Sequence, residues 1–288
     1  MEDFYNMKNK NFIRIIPKLD IKNGMLIKGI NLEGLRVLGN PFDFAQYYYS
    51  NLADEICYID NVATLYGTNN LSNFISNTAK NIFIPISVGG GIRSVKDIER
   101  IFIAGGDKVS LNSAIIENLS FLKKIVKIFG SANITVIIEY IKIKKKYYIT
   151  KSTGRDLINI DPFLWAKKVE ECGAGEIFLT SINHEGMKKG FDIPVIKKIS
   201  NKASIPIIAH GGAGTIDHVL DVVKATNVSG VALSSLLHYD IAHLFKKPSF
   251  KIGNFNYLNS LKRTERKEKN FLISIKKKLK SKGFNVRY

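Results

Sequence analysis

The chain alternates short, almost uninterrupted apolar runs with longer segments in which apolar residues recur every three or four positions. The runs are FIRIIPKL (12–19), EICYI (55–59), IPISV (84–88), KVSL (108–111), ITVII (134–138), EIFLT (176–180), IPIIA (205–209) and GVALS (230–234). A strand covered on both faces reads this way because neither side meets water. Between the runs lie segments such as SVKDIERIFIAGG and DPFLWAKKVEECGAG, with the i, i+3, i+4 period of an amphipathic helix and a glycine stop. Strands alternating with helices imply a parallel sheet. Repeated over the whole chain, the unit predicts a closed (β/α)8 TIM barrel rather than an open doubly wound sheet.

An internal repeat sharpens this expectation. IPISVGGGIRSVKDI (84–98) realigns on IPIIAHGGAGTIDHV (205–219), and the segments KVSLNSAI and VALSSLL that follow stay nearly in register. KLDIK (18–22) and IEYIK (138–142) pair loosely near the same offset. Two similar half-barrels would produce this pattern. KKYYIT (145–150) reads as a small hairpin after strand five, and FLISIKKKLKSKGFNVRY as a final amphipathic helix packed back on the barrel. The whole chain, 1–288, is expected to be one barrel, with 246–270 a basic, flexible insertion before the last helix.

Charge changes the picture little. The formal net charge is +18, but residues 245–288 alone carry 14 Lys/Arg against 2 Asp/Glu. Lysine filling solvated faces accounts for most of this; steering of a phosphorylated substrate uses the same field. Zinc-finger spacing, aromatic RNA-binding signatures and helix-turn-helix patterns are absent, which argues against nucleic acid. No run reaches the ~18 apolar residues of a membrane span, and the first residues have no signal-like apolar core. Cys57 and Cys172 stand in unrelated contexts and read as buried thiols of a reducing compartment. The expected location is the cytoplasm, with no metal site and no cofactor.

Candidate chemistry sits where the apolar runs end. In such a barrel the active site lies at the C-terminal ends of the strands. Gly89, Gly90 and Gly91 follow strand three, and Gly211 and Gly212 follow strand seven. Glycine lets backbone approach a ligand, and N–H groups at the next helix start bind phosphate. Asn112 and Ser113 after strand four, and Ser234 and Ser235 after strand eight, add further donors. Two cradles on opposite sides of one mouth imply a substrate with a phosphate at each end. Between them, Asp20 ends strand one and Glu139 strand five, and two carboxylates with unequal pKa values can serve as acid and base.

These ordered motifs, RIIPKLDIKNG, IKGINLEGLR, DEICYID, SVGGGI, DKVSLNSA, FGSANITVIIE, GAGEIFLTSI, HGGAG and GFNVR, together resemble the cyclase subunit of imidazole glycerol phosphate synthase, an enzyme of histidine biosynthesis. The resemblance implies a (β/α)8 barrel that forms a heterodimer with a glutamine amidotransferase at its far face and receives ammonia from it. It implies a bis-phosphate substrate, a phosphoribulosyl-formimino aminoimidazole carboxamide ribonucleotide, converted to imidazole glycerol phosphate and an aminoimidazole carboxamide ribotide. By position, Asp20 and Glu139 fall on the catalytic pair. Lys28, Gly91, Asn112, Ser113, Gly186, Gly212, Ser234 and Ser235 fall on substrate or phosphate positions, with Gly90, Thr180 and Gly211 beside them. Arg14, Glu55, Lys108 and Glu176 fall on a charged ring that gates the ammonia path.

The departures from that family cluster at the mouth. Glu139 replaces an aspartate, Lys18 and His210 replace small residues, Asn183 and Glu185 replace aspartates, and Met187 replaces a threonine. They leave room for three other readings: a related protein that delivers ammonia to a sugar in surface-polysaccharide synthesis, a related barrel isomerase, or a non-catalytic activator of a glutaminase.

Overall fold

Arg14–Lys22 forms the first strand, β1, and a hairpin of β2 (Met25–Ile30) and β3 (Glu33–Gly39) follows it before helix α1 (Pro41–Ser50). β4 (Ile56–Asp60), α2 (Ser72–Ala79), β5 (Ile86–Gly89), α3 (Val95–Ile103) and β6 (Lys108–Leu111) come next, then α4 (Ser113–Glu117) and α5 (Leu119–Phe129). β7 (Ile134–Ile143) runs into a second insertion, β8 (Lys146–Lys151) and β9 (Asp156–Ile158). α6 (Pro162–Glu171), β10 (Glu176–Ser181), α7 (Ile193–Ser200), β11 (Ile207–His210), α8 (Ile216–Ala225), β12 (Gly230–Leu233), α9 (Ser235–Ile241) and α10 (Phe271–Ser281) complete the order. This is a computed structural model, and it describes residues 12–61, 72–245 and 271–288. The predicted insertion at 246–270 lies outside the described residues.

Each predicted apolar run carries one strand of a closed parallel barrel, in the order β1-β4-β5-β6-β7-β10-β11-β12, with β12 pairing β1 to close it. The bounds differ for identifiable reasons. β5 and β11 begin after Pro85 and Pro206, which have no N–H to donate and serve as acceptors for Ile56 N and Ile177 N. β1 and β7 run past the predicted ends because their last residues pair antiparallel with β2 and β8. The predicted hairpin at 145–150 is β8; the β2–β3 hairpin was not anticipated. The two insertions leave the barrel at β1 and β7, the first strands of the two half-barrels read from the repeat.

Alternation along the strands builds two cores. Ile16, Cys57, Ile59, Ile137, Phe178, Ile208 and Ala232 fill the barrel interior. Ile15, Leu19, Val88, Val109, Val136 and Leu179 point outward and pack with helix residues such as Ile98, Ile101, Leu122 and Val169. Each such fully buried side chain contributes about 1.5–3 kcal/mol of transfer free energy. Cys57 is buried as expected, whereas Cys172 at the end of α6 is only partly so. The last helix packs back as predicted, burying Leu272, Ile275 and Leu279, while Ile13 N donates to Asn285 O at 2.9 Å.

Candidate active site

Because side chains alternate across a strand, β1 aims Arg14, Ile16, Lys18 and Asp20 into the barrel from its N-terminal to its C-terminal end. Arg14 meets three other charges from strand starts. Its Nη1 donates to Glu55 Oε2 at 2.9 Å and its Nη2 to Glu176 Oε1. Lys108 Nζ donates to the same Glu55 oxygen at 2.9 Å and lies 3.6 Å from Glu176 Oε2. Two cations and two anions thus alternate around the bottom of the barrel. Burial pushes the Glu55 carboxyl up, against the pull of Lys108 and Arg14.

At the opposite end a buried chain of charges crosses the mouth. Lys18 Nζ donates to Asp20 Oδ1, and Lys28 Nζ lies 3.9 Å from Asp20 Oδ2 while donating to Glu185 Oε1. His210 Nε2 is 3.3 Å from Glu185 Oε2, and its Nδ1 is 3.2 Å from Thr180 Oγ1. Burial raises the Asp20 carboxyl, but Lys18 and Lys28 outweigh it and hold the group below the usual carboxylate range. Burial acts on Glu185 in the same sense, and His210 with the two lysines brings it down to about 2. Burial takes His210 down to about 4, so its ring is neutral near neutrality.

Glu139, at the end of β7, sits in different surroundings. Its Oε2 accepts from Asn112 Nδ2 at 3.1 Å. It lines a cavity of about 100 Å³ together with Asp60, Gly90, Gly91, Arg93, Asn112, Ser113, Ser152 and Thr153. Burial raises its carboxyl to about 7, with Lys18 opposing and Asp20 adding to the rise. Near neutrality, then, Asp20 is ionised while Glu139 is poised to hold or release a proton.

The structure brings Gly90, Gly91, Asn112 and Ser113 together around one cavity with Glu139. Gly90 has φ +98°, and a Cβ there would stand 2.2 Å from Asp60 O, so backbone is forced close at this turn. The other predicted cradle does not share that cavity. Lys28 meets Glu185, Thr180 and Ser234 meet His210, and Gly211 lies against the Glu185 backbone, with Gly186, Gly212 and Ser235 their chain neighbours. A Cβ on Gly212 would fall 1.9 Å from Gly190 O, since the loop after β10 lies directly on this turn. Asn112 Oδ1 and Ser235 Oγ, one in each cradle, are buried without a hydrogen-bond partner among the described residues.

Sequence reasoning passed over Asp60, Arg93, Ser152 and Thr153. Ser152 and Thr153 carry positive φ just before Gly154, and the Ser-Thr-Gly triplet after the hairpin was the signal for a tight turn there. Among the described residues no group of three or more His, Cys, Asp or Glu is arranged to hold a metal ion, and no helix is long and apolar enough to cross a membrane.

A profile of the histidine biosynthesis protein family matches residues 14–243. The chain is 47% identical over 206 residues to imidazole glycerol phosphate synthase subunit HisF of Legionella pneumophila, covering 71% of this chain and 97% of that protein. It is 42% identical over 227 residues to the subunits of the same name from Bacillus cereus (strain Q1) and Staphylococcus saprophyticus, covering 78% of this chain and 90% of each.

Proposed function

Because the chain belongs to the histidine biosynthesis protein family, as an enzyme of the imidazole glycerol phosphate synthase cyclase type, we propose that Asp20 and Glu139 divide the acid–base work of its reaction. Ammonia adds to the carbonyl of the bis-phosphate ribonucleotide, whose oxygen leaves as water; the new nitrogen closes the ring on the formimino carbon, and the C–N bond from that carbon breaks to release the aminoimidazole carboxamide ribotide. The attacking nitrogen must lose protons and the departing one must gain one. Asp20, ionised beside Lys18, suits the base; Glu139, near 7, suits the acid. Gly90, Gly91, Asn112 and Ser113 hold one phosphate. Lys28, Thr180, Gly186, Gly211, Gly212, Ser234 and Ser235 form the side that receives the other. A glutaminase partner docks at the bottom face, and the ring of Arg14, Glu55, Lys108 and Glu176 gates the ammonia it supplies. A cytoplasmic location belongs to the same proposal.

The observation that carries this reading is a pair of carboxylates, on strands from opposite halves of the barrel, in unequal surroundings: Asp20 against Lys18 and near Lys28, Glu139 against the neutral Asn112 amide. Turnover of the histidine-pathway intermediate with ammonium salt and no partner tests it. Asp20→Asn and Glu139→Gln should each remove that turnover; survival of both sinks the assignment. A second reading keeps the partner and the carboxylates but changes the acceptor to a sugar. Glu185 and His210 favour it, because they fill the second cradle with a carboxylate and a neutral ring. Failure of the wild-type protein to consume the intermediate, with ammonium incorporated into a sugar nucleotide, would select it.

A further inference from the structure

Lys18 belongs to neither of the two glycine cradles, yet it contacts Asp20 and acts on both Glu139 and Glu185. It precedes Asp20 by two residues on β1, so both side chains share the inner face. It is only 5% exposed. Ser234 Oγ donates to its carbonyl at 2.9 Å, and His238 Nε2 lies 2.8 Å from the same oxygen. Its backbone is therefore tied to the N-cap and first turn of α9, and its Nζ is held on Asp20 Oδ1.

We propose that Lys18 is a positioning residue that allocates the proton between the two carboxylates, holding Asp20 ionised and leaving Glu139 as the group that keeps the proton. The inference rests on the reading that these two share the acid–base work. Asp20 is faced by Lys18 on its own strand, Lys28 from β2, Cys57 from β4, Glu139 from β7, Glu185 from the loop after β10, His210 from β11 and His238 from α9. Both histidines are neutral near neutrality and burial pushes the Cys57 thiol up to about 12. That leaves two ammonium groups facing three carboxylates. Lys28 is engaged by Glu185 and Lys18 by Asp20, whereas Glu139 meets the neutral Asn112 amide. An ionised carboxylate in a buried site needs a cation, and Glu139, which feels Lys18 without touching it, is the last of the three to give up its proton. Remove Lys18 and one lysine must serve both Asp20 and Glu185.

The test is a carbon-13 NMR titration of the Asp and Glu carboxyls in the full chain without substrate, assigned with Asp20→Asn and Glu139→Gln. In the wild type Asp20 should ionise at lower pH than Glu139. In Lys18→Met the Asp20 midpoint should rise by about one pH unit or more, the least that a lost contact cation produces, and Lys18→Arg should keep the wild-type order. The low-pH limb of ammonium-driven kcat/KM should move upward with it in Lys18→Met. A wild type in which Glu139 ionises first overturns the proposal, as does an unmoved Asp20 midpoint in Lys18→Met. If Lys18→Met does not fold, the wild-type order and Lys18→Arg decide. The titration needs no turnover, so an inactive wild type would defeat the proposed reaction while still judging Lys18.

Discussion

Asn112 donates from Nδ2 to Glu139 Oε2 at 3.1 Å and from the same nitrogen to Thr150 O at 3.2 Å. One amide thus pins the carboxyl at the end of β7 against the edge of the cavity and ties it to β8. If Glu139 acts as the acid, kcat/KM must fall as pH rises through about 7, where the group gives up its proton. The limb set by Asp20 lies below the ordinary carboxylate range, because Lys18 and Lys28 outweigh burial there. Glu139→Gln should lower ammonium-driven turnover by about 10²–10⁴-fold and erase the limb near 7. Glu139→Asp draws the carboxyl back by one methylene, out of reach of Asn112, and should keep a falling limb at reduced rate. A rate profile of Glu139→Gln that still falls through 7 would assign that limb to another group.

The barrel was legible because its signal is long and repeated: each apolar run marks one strand, and the IP-x3-GG repeat marks two halves. Asp20 and Glu139 were legible as the polar residues that end such runs. What escaped was what non-local packing decides. The β2–β3 hairpin, MLIKGI and EGLRVLG, mixes charged residues and glycines among its apolar positions, and only its pairing with the end of β1 makes it visible. Glu185 stood out as a departure, but nothing in its neighbourhood predicts that it lies between Lys28 on β2 and His210 on β11, because that contact joins residues far apart in the chain. The two glycine turns read as equivalent in sequence. They differ in the fold because the loop after β10 covers one and not the other.

The ring at the bottom of the barrel yields a separation of two activities. Lys108→Met removes one of the two cations on Glu55 and leaves Arg14 in place. Nothing at the mouth is touched. With a glutaminase partner, glutamine-driven turnover should fall by about 10-fold, within the range of energetic coupling between distant sites. Ammonium-driven turnover should stay near wild type. Equal losses in both assays would mean that the ring supports the fold rather than the ammonia path.

Gly90 and Gly24 both hold positive φ, +98° and +72°, but only Gly90 is crowded. An added Cβ at Gly90 would lie 2.2 Å from Asp60 O, whereas at Gly24 it would meet nothing within 4 Å. Gly24→Ala should therefore cost only the left-handed strain, about 1 kcal/mol. Gly90→Ala must also displace the end of β4 and should cost about 3 kcal/mol, with a raised KM for a phosphorylated substrate. Urea unfolding of the two variants side by side checks the difference. Equal midpoints would show that the turn after β5 has room to relax.

Asp54 joins the last helix to the first strand. Its Oδ2 accepts from Ile15 N at 2.8 Å, its Oδ1 accepts from Lys276 Nζ at 2.7 Å, and Arg287 Nε lies 3.3 Å from the same oxygen. The Lys276 side chain is fully buried, whereas that of Arg287 is half exposed. Asp54→Ala strands a buried ammonium and should cost about 3–5 kcal/mol. Lys276→Met leaves Asp54 with Ile15 N and Arg287 and puts an apolar chain of similar volume in the same space, so its cost should be the smaller of the two. If the stranded charge is the cause, the double variant Asp54→Ala/Lys276→Met must be more stable than Asp54→Ala alone, because the second change removes the unpaired cation. A double variant no more stable than the single one in urea unfolding would move the penalty to the lost Ile15 hydrogen bond, where a neutral acceptor such as Asp54→Asn should restore it.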